Sequence, residues 1–149
     1  MSQLNGFFSL QTPEDLLGKL EADFNRFCEA NPTSVDAQYA AFDFFVTAEH
    51  LPDWLSRTRG GSLTQHRTCP DGALISHVAN GAKHFRVDPQ RHTTVRDTRS
   101  HPGVFDPNVF DPLVFDVPRL VLDLENGISI AVREVAKRVV DHWRSVLCS

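Results

Sequence analysis

Hydrophobic residues return along this chain at helical spacing in four places. The first is Leu16, Leu17, Leu20, Phe24, Phe27 and Cys28, stepping by three and four as one buried face requires. Thr12 ahead of Pro13, Glu14 and Asp15 supplies an N-cap, a proline for the first helical position and acids at the positive end of the helix dipole. A first helix is therefore predicted to run to about Ala30, where Asn31-Pro32 stops it. Ser34 caps a second, longer helix with Ala37, Ala41, Phe44, Ala48, Leu51 and Leu55 on one face. Pro52 lies inside that pattern and, lacking an N–H, is expected to kink the helix or end it early. Arg57 to Ser62 reads as a flexible basic connection, and a third helix is predicted from Pro70-Asp71 to about Phe85, with Leu74, Ile75, Val78, Ala79 and Ala82 inward. Val132, Val135, Ala136, Val139, Val140, Trp143, Val146 and Leu147 mark a final amphipathic helix.

Between the third and last helices the period changes. Thr93-Thr94-Val95 offers at best one short strand. Val-Phe-Asp then recurs every five residues, at Val104, Val109 and Val114, with Pro107 and Pro112 closing the first two units. The prolines exclude a long helix or a central strand, so residues 102–118 are read as an extended arm. Its phenylalanines Phe105, Phe110 and Phe115 need cover, from the chain's own core or from a second subunit. Leu120 to Leu124 and Ile128 to Ile130 flank Asn126-Gly127, the pair that suits a two-residue hairpin. The expectation is a mainly α protein, a bundle of about four helices with a small C-terminal β-hairpin and room for a third short strand, in one domain over residues 1–149.

Composition bounds this picture. With 149 residues, 41% hydrophobic and 23% charged, one core is expected and wholesale disorder is not. No apolar stretch approaches the roughly 18 residues of a membrane span, and the start has no basic region followed by an apolar run, so a cytoplasmic protein without a membrane partner is expected. Cys28, Cys69 and Cys148 are widely spaced and odd in number, which indicates neither a disulfide framework nor a cysteine zinc site. The formal charge of −4 divides as −7 over residues 1–56, +5 over 57–101 and −2 over 102–149. His66, His77, His84, His92 and His101 share the basic segment, where an anionic partner would bind.

Candidate chemistry lies beside the apolar faces. On the second helix Asp43, Thr47, His50 and Trp54 form a line at the core's edge, and His77, Asn80 and His84 form one on the third, with Lys83 next to Asn80. If these lines meet, a polar seam results, and three readings follow. His50 and Asp53, one turn apart, with His77 or His84 would bind a divalent metal, although no His-Glu-x-x-His is present. Lys83, His84, Arg86 and Arg91 would hold a phosphodiester while a histidine moves protons. Alternatively His50, His77 and Asn80 form a structural hydrogen-bond network and no cofactor is involved.

Residues 44–55 (FFVTAEHLPDWL), then Cys69-Pro70, then 78–85 (VANGAKHF) resemble uncharacterised small helical proteins of bacteria and their phages and, distantly, the HEPN superfamily of helical bundles. That resemblance implies an RNA-directed binding module or a ribonuclease in a bacterial defence or toxin setting, with Asn80, Lys83 and His84 as catalytic candidates; His50, Asp53, His77, Arg86 and Arg91, drawn from the polar seam and the basic segment, are the binding candidates. The arginine and histidine spacing of HEPN nucleases occurs here only as Arg86 and His92, which Pro89 places in a loop. A further reading is a noncatalytic interaction module, in which the acidic first helices or the phenylalanine arm dock a protein partner or a second copy as a homodimer.

Overall fold

The computed structural model describes residues 3–111, 114 and 116–148. Five helices and three strands follow in the order α1 (Pro13–Glu29), α2 (Val35–Arg59), α3 (Leu63–His66), α4 (Gly72–His84), β1 (Val95–His101), β2 (Arg119–Leu124), β3 (Ser129–Ala131) and α5 (Val132–Leu147). The fold is mainly α with a small antiparallel sheet, as the periodicity predicts. No helix among the described residues is long and apolar enough to cross a membrane.

Local chemistry sets the helix ends. The Asp15 N–H donates to Thr12 Oγ1 at 3.1 Å, and the Asp15 carboxylate accepts from the N–H of Thr12 at 3.0 Å, a closed capping box at the start of α1. Ser34 Oγ accepts from the Ala37 N–H at 3.1 Å and opens α2. Of the two outcomes expected at Pro52, an early end does not occur: α2 runs on through it to Arg59. Pro52 removes one hydrogen bond, while Leu51 and Leu55 on either side are 0% and 3% exposed and stay in the core only if the helix continues. The helix stops instead at Gly60, whose φ of 77° ends the regular spiral. Arg57 and Arg59 therefore belong to α2, and the connection after it is shortened further by α3, whose four residues the pattern did not reveal.

α2 is the central helix, packing against α1, α3, α4 and α5, while α5 also lies on α1, β2 and β3. Trp143, Phe44, Phe45, Leu20 and Leu51 are all under 2% exposed and form the centre of the core. Asp71 precedes α4 but gives its N-terminus no side-chain hydrogen bond; its carboxylate takes both Nε and an Nη of Arg138, at 3.1 and 2.8 Å, and so ties α4 to α5.

The sheet runs β1-β2-β3, antiparallel throughout. β1 is seven residues long and starts at Val95, where the sequence pattern had reached its end; β1 is exposed on most positions and so lacks an alternating apolar signal. The β2–β3 turn also differs from the two-residue form. Gly127 N–H donates to Leu124 C=O and Leu124 N–H to Ile128 C=O, with Gly127 alone at positive φ (86°). This is a three-residue loop ending in a glycine bulge, because Asn126 stays at negative φ. Residues 102–118, read as an arm, form the β1–β2 connection. At its base the Asp116 carbonyl accepts from the N–H groups of Val104 and Phe105, at 2.6 and 2.9 Å. Phe105 and Phe110 pack ring to ring at 4.8 Å; Pro112 and Phe115 of the repeat lie outside the described residues.

Candidate functional site

α2 and α4 are neighbours, yet the two polar lines meet only in part. His50 Nε2 lies 3.5 Å from Lys83 Nζ across the helix pair. Asp43 and Thr47 turn to α1 instead. The carboxylate of Asp23, 4% exposed, accepts from Lys19 Nζ at 2.7 Å and from Thr47 Oγ1 at 3.2 Å, and Arg26 spans Asp23 and Asp43. A buried carboxylate needs donors, and α1 presents that demand to the same side of α2.

On α4 the candidates separate. His77 is 9% exposed and faces β1, its Nδ1 accepting the Val95 N–H at 3.0 Å and its ring 5.4 Å from that of His92. Asn80 turns back on its own helix, its amide donating to the Ser76 carbonyl at 2.8 Å. His84 and Arg86 are exposed, and Asp53 is engaged by Arg57 Nε at 3.2 Å. The metal quartet His50, Asp53, His77 and His84 is therefore not assembled, and among the described residues no three His, Cys, Asp or Glu side chains group as metal ligands do. Asn80, Lys83 and His84 go separate ways: Asn80 bonds its own helix, Lys83 reaches His50 and His84 is exposed.

Burial and the Lys83 ammonium hold the His50 imidazole below its ordinary value near 6.5. Burial does the same for His77, helped by His92, and for His142. A histidine with a lowered folded value is neutral in the fold at pH where the unfolded chain already binds a proton. Stability is then full above about pH 6.5 and lost as pH falls through the folded values. The melting temperature is expected to be level from pH 8 to 7 and to drop between roughly pH 6.5 and 5. This precedes the loss due to Asp15, Asp116 and Asp123, which backbone, Arg119 and Arg99 hydrogen bonds respectively hold below 3.8. Circular dichroism melts of His77→Asn, which keeps an acceptor near the Val95 N–H, should show a shallower drop; an identical slope would refute a role for His77.

The arginines and lysines sort sharply by partner. Lys19, Arg26, Arg57, Arg59, Arg67, Arg99, Arg119, Lys137, Arg138 and Arg144 each pair with a carboxylate. Among the described residues Lys83, Arg86, Arg91, Arg96 and Arg133 have no such partner. Four of these five fall between Lys83 and Arg96, on the end of α4, the following loop and the start of β1, and all four are exposed. Phe85 sits within this run, 89% exposed and at φ 64°, a conformation uncommon for a bulky side chain. Arg96 was not singled out in the sequence, and Phe85 was read only as a helix end; a cation four residues from the nearest histidine and a phenylalanine at a helix end carry no periodic signal.

Beside this run a cavity of about 390 Å3 opens where α2, the start and middle of α4, the loop before β1 and α5 converge. Glu49, Arg67, Ser76, Arg91, His92 and Trp143 are among the residues around it. Ser76 Oγ and Arg67 Nη2 both donate to Glu49 Oε1, at 3.1 and 3.4 Å. Arg91 and His92 of these were singled out by the sequence, whereas Glu49 and Ser76 come together across two helices and Trp143 reads as plain core. No family model, curated protein or solved structure matches the chain.

Proposed function

We propose that this protein is an RNA-binding module that takes the phosphate backbone along the segment from Lys83 to Arg96. The observation that carries the reading is the concentration there of cations without carboxylate partners, since a cation already paired has less to gain from a phosphate. Exposed Phe85 among them supports a single-stranded ligand, because a base stacks on an aromatic face whatever its sequence. The HEPN resemblance of residues 44–55 and 78–85 supports RNA as the polyanion. Binding is favoured over cleavage because Asn80 is bonded to the Ser76 carbonyl of its own helix, Lys83 lies against His50 and His84 is exposed.

Anisotropy of a labelled single-stranded RNA of about 20 nucleotides, titrated between roughly 50 and 200 mM salt, tests this. Binding should weaken steeply with salt. Changing Lys83, Arg86, Arg91 and Arg96 together to Gln should lower the log–log slope by roughly 3 with helicity unchanged. Phe85→Ala should weaken binding about tenfold at an unchanged slope. Absence of binding at the lowest salt, or a quadruple variant equal to the wild type, refutes the reading. RNA should stay intact from pH 6 to 8; cleavage that disappears in His84→Ala would make the protein a ribonuclease instead.

A further inference from the structure

We infer that the outer edge of β1 is an interface for a second copy of this chain, the two β1 strands pairing antiparallel about Thr98 to join two sheets into one. The inference is independent of the RNA reading, because it uses the backbone groups of Thr98 and Ser100 and the charges of Asp97 and Arg99, none of which that reading invokes.

Bond directions in the sheet show which groups of β1 are free. β2 lies between β1 and β3. The Leu124 N–H donates to the Ile128 carbonyl on the β3 side at 2.8 Å, whereas the Glu125 N–H donates to the Thr94 carbonyl on the β1 side at 3.0 Å. Backbone groups of successive strand residues alternate sides, so Arg119, Val121 and Asp123 turn toward β1 and meet His101, Arg99 and Asp97 there. Thr98 and Ser100 therefore turn their N–H and C=O groups outward. Among the described residues no backbone group beyond the β1–β2 ladder bonds them, and residues 96–100 are all exposed. Such an edge is a template for another strand. In the single chain one carboxylate closes it: Asp97 Oδ1 accepts the Thr98 N–H at 2.8 Å. Asp97 has no cationic partner among the described residues and stands opposite Asp123 in the β1–β2 register, so a positive charge from outside would stabilise it.

The charge pattern selects the occupant. Read backwards, Asp97-Thr98-Arg99 becomes Arg-Thr-Asp, so two copies paired about Thr98 set Asp97 of each against Arg99 of the other. The two Thr98 residues then exchange both of their outward bonds, and Ser100 falls opposite Arg96 of the second copy. Asp97 and Arg99 occupy the non-hydrogen-bonded positions, where opposed Cα atoms are closest, at about 4.5 Å. Arg99 gives its Nε–H to Asp123 at 2.7 Å, and its guanidinium has further N–H groups for a second carboxylate. Sliding one copy by two residues, the smallest slip that keeps outward groups matched, opposes Asp97 to Asp97 or Arg99 to Arg99. Opposed like charges disfavour both slips, so the edge is matched to its own copy in one register. The register shift between Val95 and Asp97 ends the regular edge at Arg96 and keeps the paired stretch short.

Sedimentation equilibrium of the full chain from about 5 to 500 μM tests the interface and should show a monomer–dimer equilibrium. Asp97→Arg, which opposes like charges, should weaken the dimer at least about tenfold. Thr98→Pro removes the central outward N–H at an edge position where proline is tolerated, and should weaken it at least as much. Melting curves at the lowest concentration show whether each variant is folded, and cross-linking serves if Thr98→Pro is not. In a Cys148→Ser background, which removes the exposed cysteine, oxidised Thr98→Cys should form a disulfide dimer. Asp97→Cys should not, since pairing about Thr98 leaves the two copies of residue 97 beyond the roughly 7 Å between Cα atoms that a disulfide spans. A monomer throughout the range, a dimer that neither Asp97→Arg nor Thr98→Pro weakens, or faster cross-linking at 97 than at 98 overturns the inference.

Discussion

Phe44→Ala is expected to lower the unfolding free energy by about 3 to 5 kcal/mol, the range for emptying a well-packed core of a phenyl ring. Phe44 is 1% exposed on α2, with the ring of Phe24 of α1 at 6.3 Å and that of Phe45 at 5.7 Å, edge to face. The lost burial and the cavity left behind both contribute, and the aromatic geometry adds about 0.5 to 1.5 kcal/mol beyond area. Because a domain of this size is typically stable by about 5 to 15 kcal/mol, the variant should lie near its limit at 37 °C. Urea unfolding should show a lower midpoint at an unchanged slope. Phe42→Ala, two residues away and 49% exposed, serves as the control and should cost far less. A loss below about 1 kcal/mol for Phe44→Ala would mean that α1 and α2 do not pack as described.

The second large effect is expected at Gly103, just after β1. A Cβ there would lie 2.2 Å from the Val117 carbonyl carbon and 2.4 Å from Pro118 N, both backbone atoms that have no rotamer to move through. The residue also sits at φ 62°, which costs an L side chain about 1 to 2 kcal/mol by itself. Gly103→Ala should therefore push the two ends of the 102–118 connection apart and break the hydrogen bonds from Val104 and Phe105 to the Asp116 carbonyl. Hydrogen exchange at those two amides should accelerate by about two orders of magnitude, and Val117, 1% exposed, should lose its cover. Gly60→Ala separates the two causes, because Gly60 shares the positive φ (77°) but has nothing within 4 Å of a built Cβ. It should show the backbone cost alone. Equal exchange in Gly103→Ala and the wild type would contradict the close approach.

Helix faces were legible in advance because burial repeats at 3.6 residues, and a period can be seen without knowing the partner. α1, α2, α4 and α5 stand where Leu20, Phe44, Ile75 and Val139 predicted them, and Thr12 and Ser34 cap where their hydroxyls reach the next free N–H groups. The effect of Pro52 was not legible, since one lost hydrogen bond competes with burial of Leu51 and Leu55, and the balance depends on what packs against them. β1 escaped for a related reason. Its polar residues Arg96 to Ser100 become a strand only through pairing with β2, which lies beyond a long connection.

For the site, the chain by itself determined where positive charge accumulates, and Arg86 and Arg91 stand out from composition alone. The tertiary structure decided which cations remain free, because pairing joins residues distant in sequence, such as Arg138 with Asp71 and Arg144 with Glu21. It also decided that His50 meets Lys83 while His77 turns to Val95, and that Glu49, Ser76 and Trp143 share one cavity. Periodicity assigns a residue to a face of its own element; which faces meet is set by packing between elements, and chemistry that needs groups from three of them exists only after that packing is complete.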